Sequence, residues 1–312
     1  MSLKSFLPYF LDASIDAAIA SYEWVGRGDK IAADDVATNS MRERLKKSSI
    51  NAEVVVGEGE MDKAPMLFNG ERFGEKNLEL AKIDIAVDPL EGTNLCATGA
   101  NGAMTVIAFA KEGAILKCPD IYMEKLVVSP GYEVHVDINS SLEENLVNLS
   151  TAKGCKLSEL KVIMLNRPRH EHLIKKARQL GCKINLISDG DISAVLSVLL
   201  GSQDIYVGSG GAPEGILCAV AAKTLNGDIQ AKLIFSNDEE KEAGKKYGII
   251  DFDKIYRAND MIKGESYFVA SGVTNGEICD GVICDENAYE VESLIFSSKD
   301  KEMQTINTVR MN

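Results

Sequence analysis

Two carboxylates three residues apart on a tight turn are the first feature with chemical reach. In DIAVDPLEGT, residues 84–93, an apolar run delivers Asp88, Pro89 forces the chain from extended to turn, and Glu91, Gly92 and Thr93 follow. With the intervening carbonyls, Asp88 and Glu91 could chelate a hard divalent cation, Mg²⁺ or Mn²⁺, from one short segment. A turn that needed only Pro and Gly would not need Asp, Glu and Thr around them. A second acidic string, GEGEMDKAPML at residues 57–67, directly follows the apolar run AEVVV. Glycines on either side of Glu58 let the backbone turn and bring the carboxylate out at a strand end, where a cation collects oxygen ligands. A glycine-rich turn with solvated acids fits that string equally well.

Three further strings sit where strands give way to helices. In GSGGAPEG, residues 208–215, successive glycine N–H groups at a helix N-terminus would form an anion site, and Pro213 suits a first helical turn. Glu214 is there either a metal ligand or a helix-dipole partner, and a plain tight connection also explains the glycines. In SDGDIS, residues 188–193, Asp189 and Asp191 could accept hydrogen bonds from sugar hydroxyls, although capping of the next helix by Asp191 is the simpler reading. In NRPRH, residues 166–170, Arg167 and Arg169 flank Pro168 as a fork for a phosphate, or are two surface arginines. The histidines at 135, 170 and 172 lack HExxH spacing and no GxSxG occurs, so zinc-hydrolase and serine-hydrolase chemistry lose most of their weight.

These strings need elements that hold them. Helical periodicity covers 7–25, stopping at Gly26 and Gly28, and 34–47, which opens on two aspartates and closes on basic residues. Short β-type runs follow at 52–56, 83–87, 103–110 and 126–128, so the acidic motifs lie at strand ends. Beyond residue 140 the chain alternates, with helices near 141–152, 170–180, 191–200 and 214–225 and strands near 161–165, 183–187, 204–207 and 231–235, the pattern of a layered α/β half. Residues 237–246 read as an exposed helix or loop, and the tail from 265 as two or three strands. No internal repeat or low-complexity linker interrupts the chain.

The 312 residues, 45% hydrophobic and 26% charged, suffice for one large α/β unit or two smaller halves. A formal net charge of −13 argues against a nucleic-acid partner, which demands concentrated Lys and Arg. An anionic metabolite remains open to such a chain, through metals, backbone N–H groups and a few local cations. Seven scattered cysteines without CxxC read as reduced, mostly buried thiols. The longest apolar stretch, 192–200, is too short for a bilayer, and Asp12 and Asp16 interrupt any signal-peptide core, so neither a membrane nor secretion is expected and the reading is cytoplasmic. A homo-oligomer, dimer or tetramer, is the expectation for a cytoplasmic enzyme of this size.

Taken in order, WVGRGDKIAADDVATNSMRERL, VVVGEGEMDKAPML, DIAVDPLEGT, PDIYMEKL, NRPRH, SDGDIS and GGAPEG resemble the motifs of the class II fructose-1,6-bisphosphatases of bacteria, within the inositol-monophosphatase type of lithium-sensitive phosphatases. The resemblance runs from about Ala17 through the last strands. It implies a layered αβαβα sandwich, a single unit over 1–312 with a metal-site half to about 150 and a substrate half beyond. It implies metal positions at Asp34, Glu58, Asp88, Glu91 and Glu214, with Thr93, Asp88 and Glu58 in the chemistry. Substrate contacts are implied at Glu91, Gly92, Thr93, Tyr122, Arg167, Pro168, Arg169, Asp189, Gly190, Asp191 and Gly211. The implied reaction is metal-dependent hydrolysis of the 1-phosphate of fructose 1,6-bisphosphate, a step of gluconeogenesis. The chain departs from the usual pattern at GDKIAAD, where the family has GDKNTAD, and at NLCATG after the acidic turn; Glu91 stands where related phosphatases have DPxDGT. Sedoheptulose 1,7-bisphosphate is the nearest alternative substrate, and a non-catalytic sugar-phosphate sensor is the alternative of another class.

Overall fold

Small and apolar residues at helical spacing make α1 (Leu7–Tyr22), which buries Phe10, Ala13 and Ala17. Helix α2 (Lys30–Lys46) starts earlier than its aspartates suggest, because Asp29 is the cap and accepts from the Ala32 N–H at 3.0 Å. Asp34 therefore sits inside the helix. The computed structural model describes residues 2–57, 67–74 and 80–311. Its chain divides into two units, Met1–Lys117 with Ile262–Asn312, and Cys118–Met261.

The first unit continues with β1 (Asn51–Val56), β2 (Arg72–Phe73), β3 (Lys82–Glu91), α3 (Thr93–Thr98) and β4 (Met104–Lys111). The second holds β5 (Tyr122–Val128), α4 (Leu142–Lys153), β6 (Lys161–Leu165), α5 (Glu171–Gln179), β7 (Lys183–Ile187), α6 (Asp191–Leu199), β8 (Ile205–Gly211), α7 (Ala212–Thr224), β9 (Ile229–Ile234), α8 (Asp238–Lys246) and α9 (Ala258–Met261). The chain then returns to the first unit with β10 (Ser266–Gly272), β11 (Ile283–Cys284), β12 (Ala288–Ser297) and β13 (Glu302–Met311). The boundary expected near 150 falls inside α4. A division into consecutive halves has no room for a chain that leaves one unit and comes back to it. The tail supplies four strands instead of two or three.

In the first unit the sheet order is β11-β12-β10-β4-β3-β1-β2, with β13 on β12. Among the described strands of this sheet only β1 and β3 run parallel. Alternation along β3 and β4 turns Ile85, Val87, Ile107 and Phe109 toward α1, where Phe10 stacks on Phe109 at 4.3 Å between ring centroids. In the second unit the order is β7-β6-β8-β5-β9, mixed in direction. Leu126, Val128, Val162 and Met164 face Leu146 and Leu149 of α4 and Ile174 and Ala177 of α5. The alternate residues of β5 face the other way, where Gly215 of α7 lies so close to Met123 that an added Cβ would be 2.2 Å from its sulfur. The layered α/β reading therefore holds within each unit, as helix on sheet in the first and helix–sheet–helix in the second. No described helix is long and apolar enough to cross a membrane.

Candidate active site

The acidic turn of the first unit is built by a strand that breaks register. Along β3, Asp88 pairs with Val106 but Glu91 pairs with Met104, so one extra residue bulges where Pro89 has no N–H for the ladder. The bulge turns the strand end without exposing it, and Asp88 and Glu91 are each only 5% accessible. The turn is locked at Leu90, whose N–H donates to Asp88 Oδ1 at 3.0 Å and whose carbonyl accepts from Thr93 Oγ1 at 2.9 Å. Gly92 enters α3 at φ 78°, a left-handed conformation that a side chain resists. Ala33 and Ala37 of α2 share one apolar cluster with Leu90 and Cys96. Asp34, next to Ala33, has its carboxyl lifted to about 6 by burial first and by the charge of Asp35 second. Glu58 lies outside the described residues. Its neighbour Gly57 is fixed, with its N–H on Asn69 Oδ1 at 2.9 Å and no room for a Cβ, which would meet the Leu67 carbonyl at 2.1 Å.

The second unit carries a polar cleft of about 470 Å³ that brings together Tyr122, Arg167, Arg169, Asp189, Asp191, Gly211 and Glu214. Pro168 and Gly190 belong to the same two loops, one opening a single 3₁₀ turn and the other the left-handed residue before α6. Arg169 is set in place twice. Its guanidinium carbon lies 5.1 Å from the Tyr122 ring centroid, and Nε and Nη2 donate to the Ser209 carbonyl at 3.1 and 2.6 Å. Arg167 faces Asp189 more loosely, at 3.8 Å. The turn that bears both arginines is pinned by His170, which is buried. Its Nδ1 is 3.0 Å from the Leu165 carbonyl and its Nε2 accepts the Ser209 N–H at 2.8 Å, which assigns the proton to Nδ1. Burial holds this ring below the usual histidine range.

Beneath the cleft lies a lysine that sequence reasoning passed over. Lys125 on β5 is fully buried, donates from Nζ to Asp191 Oδ2, and reaches the Gly211 carbonyl at 3.1 Å. Burial opposes its charge, but Asp191, Cys218 and Glu214 outweigh burial and its pKa is pushed up to about 12. The signal was present in IYMEKLVV, where strand alternation puts Lys125 on the inward face with Met123 and Val127. Asp191 does not cap α6, because Gly190 holds the cap position without a side-chain bond and Asp191 is turned inward to Lys125. The glycines of GSGGAPEG belong to the end of β8, where Gly211 pairs with Tyr122 and is also the cap residue of α7, which starts at Ala212 and not at Glu214. They are glycines because a Cβ at 210 would meet Asp191 Oδ2 at 2.1 Å, and one at 211 would meet Glu214 Oε2 at 2.0 Å.

The expected metal set is divided between the units, with Asp34, Asp88 and Glu91 in the first and Glu214 in the second. Among the described residues no group of three or more His, Cys, Asp or Glu side chains is arranged to hold an ion. Glu214 nevertheless fits one. Its Oε2 is sealed from solvent without a hydrogen-bond partner, and burial raises its pKa against the pull of Lys125. An orphaned carboxylate oxygen, in a donor set made of carboxylates, suits a hard cation such as Mg²⁺ or Mn²⁺.

Comparison with known proteins agrees with the motif order. A protein from Trichodesmium erythraeum (strain IMS101), named D-fructose 1,6-bisphosphatase class 2/sedoheptulose 1,7-bisphosphatase, is 42% identical over 95% of this chain and 93% of its own length. The protein of the same name from Synechocystis sp. (strain ATCC 27184 / PCC 6803 / Kazusa) is 40% identical over the same shares. A solved inositol monophosphatase from Anabaena (Nostoc) sp. PCC 7120 is 15% identical over 66% of this chain and 75% of its own, with a TM-score of 0.35, too slight a likeness to argue from. The family model for bacterial fructose-1,6-bisphosphatase, glpX-encoded, matches residues 6–310, and the chain belongs to that family.

Proposed function

We propose that this chain is a divalent-metal-dependent phosphatase that removes the 1-phosphate of fructose 1,6-bisphosphate, leaving fructose 6-phosphate, in cytoplasmic gluconeogenesis. The observation that carries the reading is the family match across residues 6–310. The phosphate ester is already anionic, so hydroxide attack is repelled unless its oxygens are neutralised. Mg²⁺ or Mn²⁺, held by Asp34, Glu58, Asp88, Glu91 and Glu214, would supply that neutralisation and a water of lowered pKa. The chain's own groups do the rest. The Thr93 hydroxyl already donates to the Leu90 carbonyl, so its oxygen is oriented to accept from the attacking water, whose proton passes to Asp88 or Glu58. Arg169, held by Tyr122 and Ser209, receives the distal phosphate with Arg167, and Pro168 fixes their spacing. Asp189 and Asp191, with the backbone of Gly190 and Gly211, face the sugar hydroxyls, as Glu91, Gly92 and Thr93 face the reacting phosphate.

Dual action on sedoheptulose 1,7-bisphosphate is the second reading, favoured by the double name of the 42% and 40% identical relatives. The test is phosphate release from each bisphosphate by metal-stripped protein with Mn²⁺ or Mg²⁺ returned. Turnover that appears with the metal supports the phosphatase, and the ratio of kcat/KM values assigns the substrate. Binding without phosphate release would instead identify a sensor.

A further inference from the structure

Sheet edges are where strands pair with strangers, and this chain shields most of its own. In the first sheet β2 and β11 are two residues long. In the second, the outer side of β9 is occupied by Tyr256, which exchanges two hydrogen bonds with Ala231 at 2.8 and 2.9 Å. The remaining edge, β7, is five residues long. Strand β13 is different. All ten of its residues pair with β12 without a register break, and among the described residues no strand pairs with its outer side. It has neither proline nor bulge, and EMQTINTVRM is rich in residues that favour strands. Its even-numbered residues lie on the α1 face, where Ile306 packs against the core. Its odd-numbered residues lie on the other face, where Met303 is 50% and Val309 61% exposed.

We propose that the outer edge of β13 is an interface, and that its occupant is β13 of a second copy of this chain, running antiparallel across a two-fold axis at Ile306. The strand is complementary to itself in that register. Glu302 falls opposite the partner subunit's Arg310 and Arg310 opposite the partner subunit's Glu302, so the junction carries two ion pairs. Met303 falls opposite the partner subunit's Val309, which covers the apolar side chains that one copy leaves exposed. Thr305 meets the partner subunit's Asn307, Gln304 meets the partner subunit's Thr308, and Ile306 meets itself. Such cross-strand pairs add to the main-chain hydrogen bonds of an edge-to-edge junction. Arg310 already contacts Asp12 of α1, so an incoming carboxylate would complete an acid–guanidinium–acid chain. The same patch serves both copies, as a closed two-fold dimer requires.

The test is sedimentation equilibrium of the full chain over a range of concentrations, with and without added salt. The wild type is expected at twice the monomer mass or a multiple of it, with tighter association at low salt. Glu302→Arg sets like charges against Arg310 in both pairs, and Val309→Lys puts a charge against Met303; each is expected to weaken dimerisation at least tenfold. Both positions are exposed in one copy, so circular dichroism should show the fold retained. A wild type that stays monomeric, or an oligomer indifferent to both substitutions, overturns the proposal whatever reaction the protein catalyses.

Discussion

The acid on α2 of the first unit and the acid that opens α6 of the second are treated in opposite ways. Asp191 is 7% accessible and bonded to Lys125, a cation built into the sheet beneath it. Asp34 is partly buried beside a second acid, and burial and Asp35 together lift its carboxyl to about 6. Glu214 stands between these cases, near Lys125 yet with an oxygen that accepts nothing. One carboxylate is neutralised from within; the other two are held by burial above the usual carboxylate range. That difference sets an acid already paired within the protein apart from two acids proposed as metal ligands.

The most damaging way to break the contrast is Lys125→Met. Leaving Asp191 buried without its cation should cost about 3–5 kcal/mol, read as a lowered urea midpoint. Removing both partners, in Lys125→Met with Asp191→Asn, should recover a good part of that loss. A single variant as stable as wild type would mean the lysine offsets nothing. Thr93→Ala tests the acidic turn instead. Turnover should fall about 100-fold or more, the scale of a misplaced attacking group, while fold and bound metal stay at wild-type levels. An unchanged kcat would remove Thr93 from the reaction.

The two regions were also unequally legible in the sequence. The string DIAVDPLEGT announced itself because its residues lie side by side, and the strand, turn and short helix that hold them are local. The cleft could be read only as separate fragments. Its loops follow different strands, and the reasons for its glycines are side chains from elsewhere in the chain: Asp191 fills the space above Gly210, and the His170 ring lies 3.0 Å from where a Cβ of Gly208 would be. Lys125 was hidden by being a lysine, a residue expected at the surface unless paired. The domain boundary was misplaced because closure of the first sheet depends on β10 and β12, contributed more than a hundred residues after β4.

Arg169→Ala tests the proposal that the cleft anchors a phosphate. The guanidinium is already oriented by Tyr122 and Ser209, so its removal should raise KM for the bisphosphate about tenfold and change far less for a monophosphate ester. Equal losses on both substrates would deny the anchoring role. A smaller effect is expected at Asp34. With metal removed by chelation, Asp34→Asn should stabilise the protein by about 1 kcal/mol after solvent screening is allowed for, since the charge it deletes is unfavourable at pH 7. A chelated variant less stable than wild type would show that Asp34 is neutralised by a group of the protein itself.

The smallest effect concerns the pin under the arginine turn. His170 is neutral in the fold, with burial the largest cause and the Arg169 charge adding to it, so its folded pKa lies below the ordinary 6.5. Below pH 6.5 the unfolded chain takes a proton that the folded ring refuses. The contribution of His170 to stability is therefore complete above that pH and declines as pH falls toward the folded pKa, with a slope of at most about 1.4 kcal/mol per pH unit. Asp34 and Glu214, whose carboxyls are raised in the fold, slope the other way over more acidic pH, so the wild-type curve alone mixes opposing signs. The difference between wild type and His170→Gln in chelated buffer isolates the histidine. That difference should shrink as pH is lowered from 7 to 5.5; if it stays constant, the ring is not held neutral by Leu165 and Ser209, and the arginine turn must owe its position to Arg169 itself.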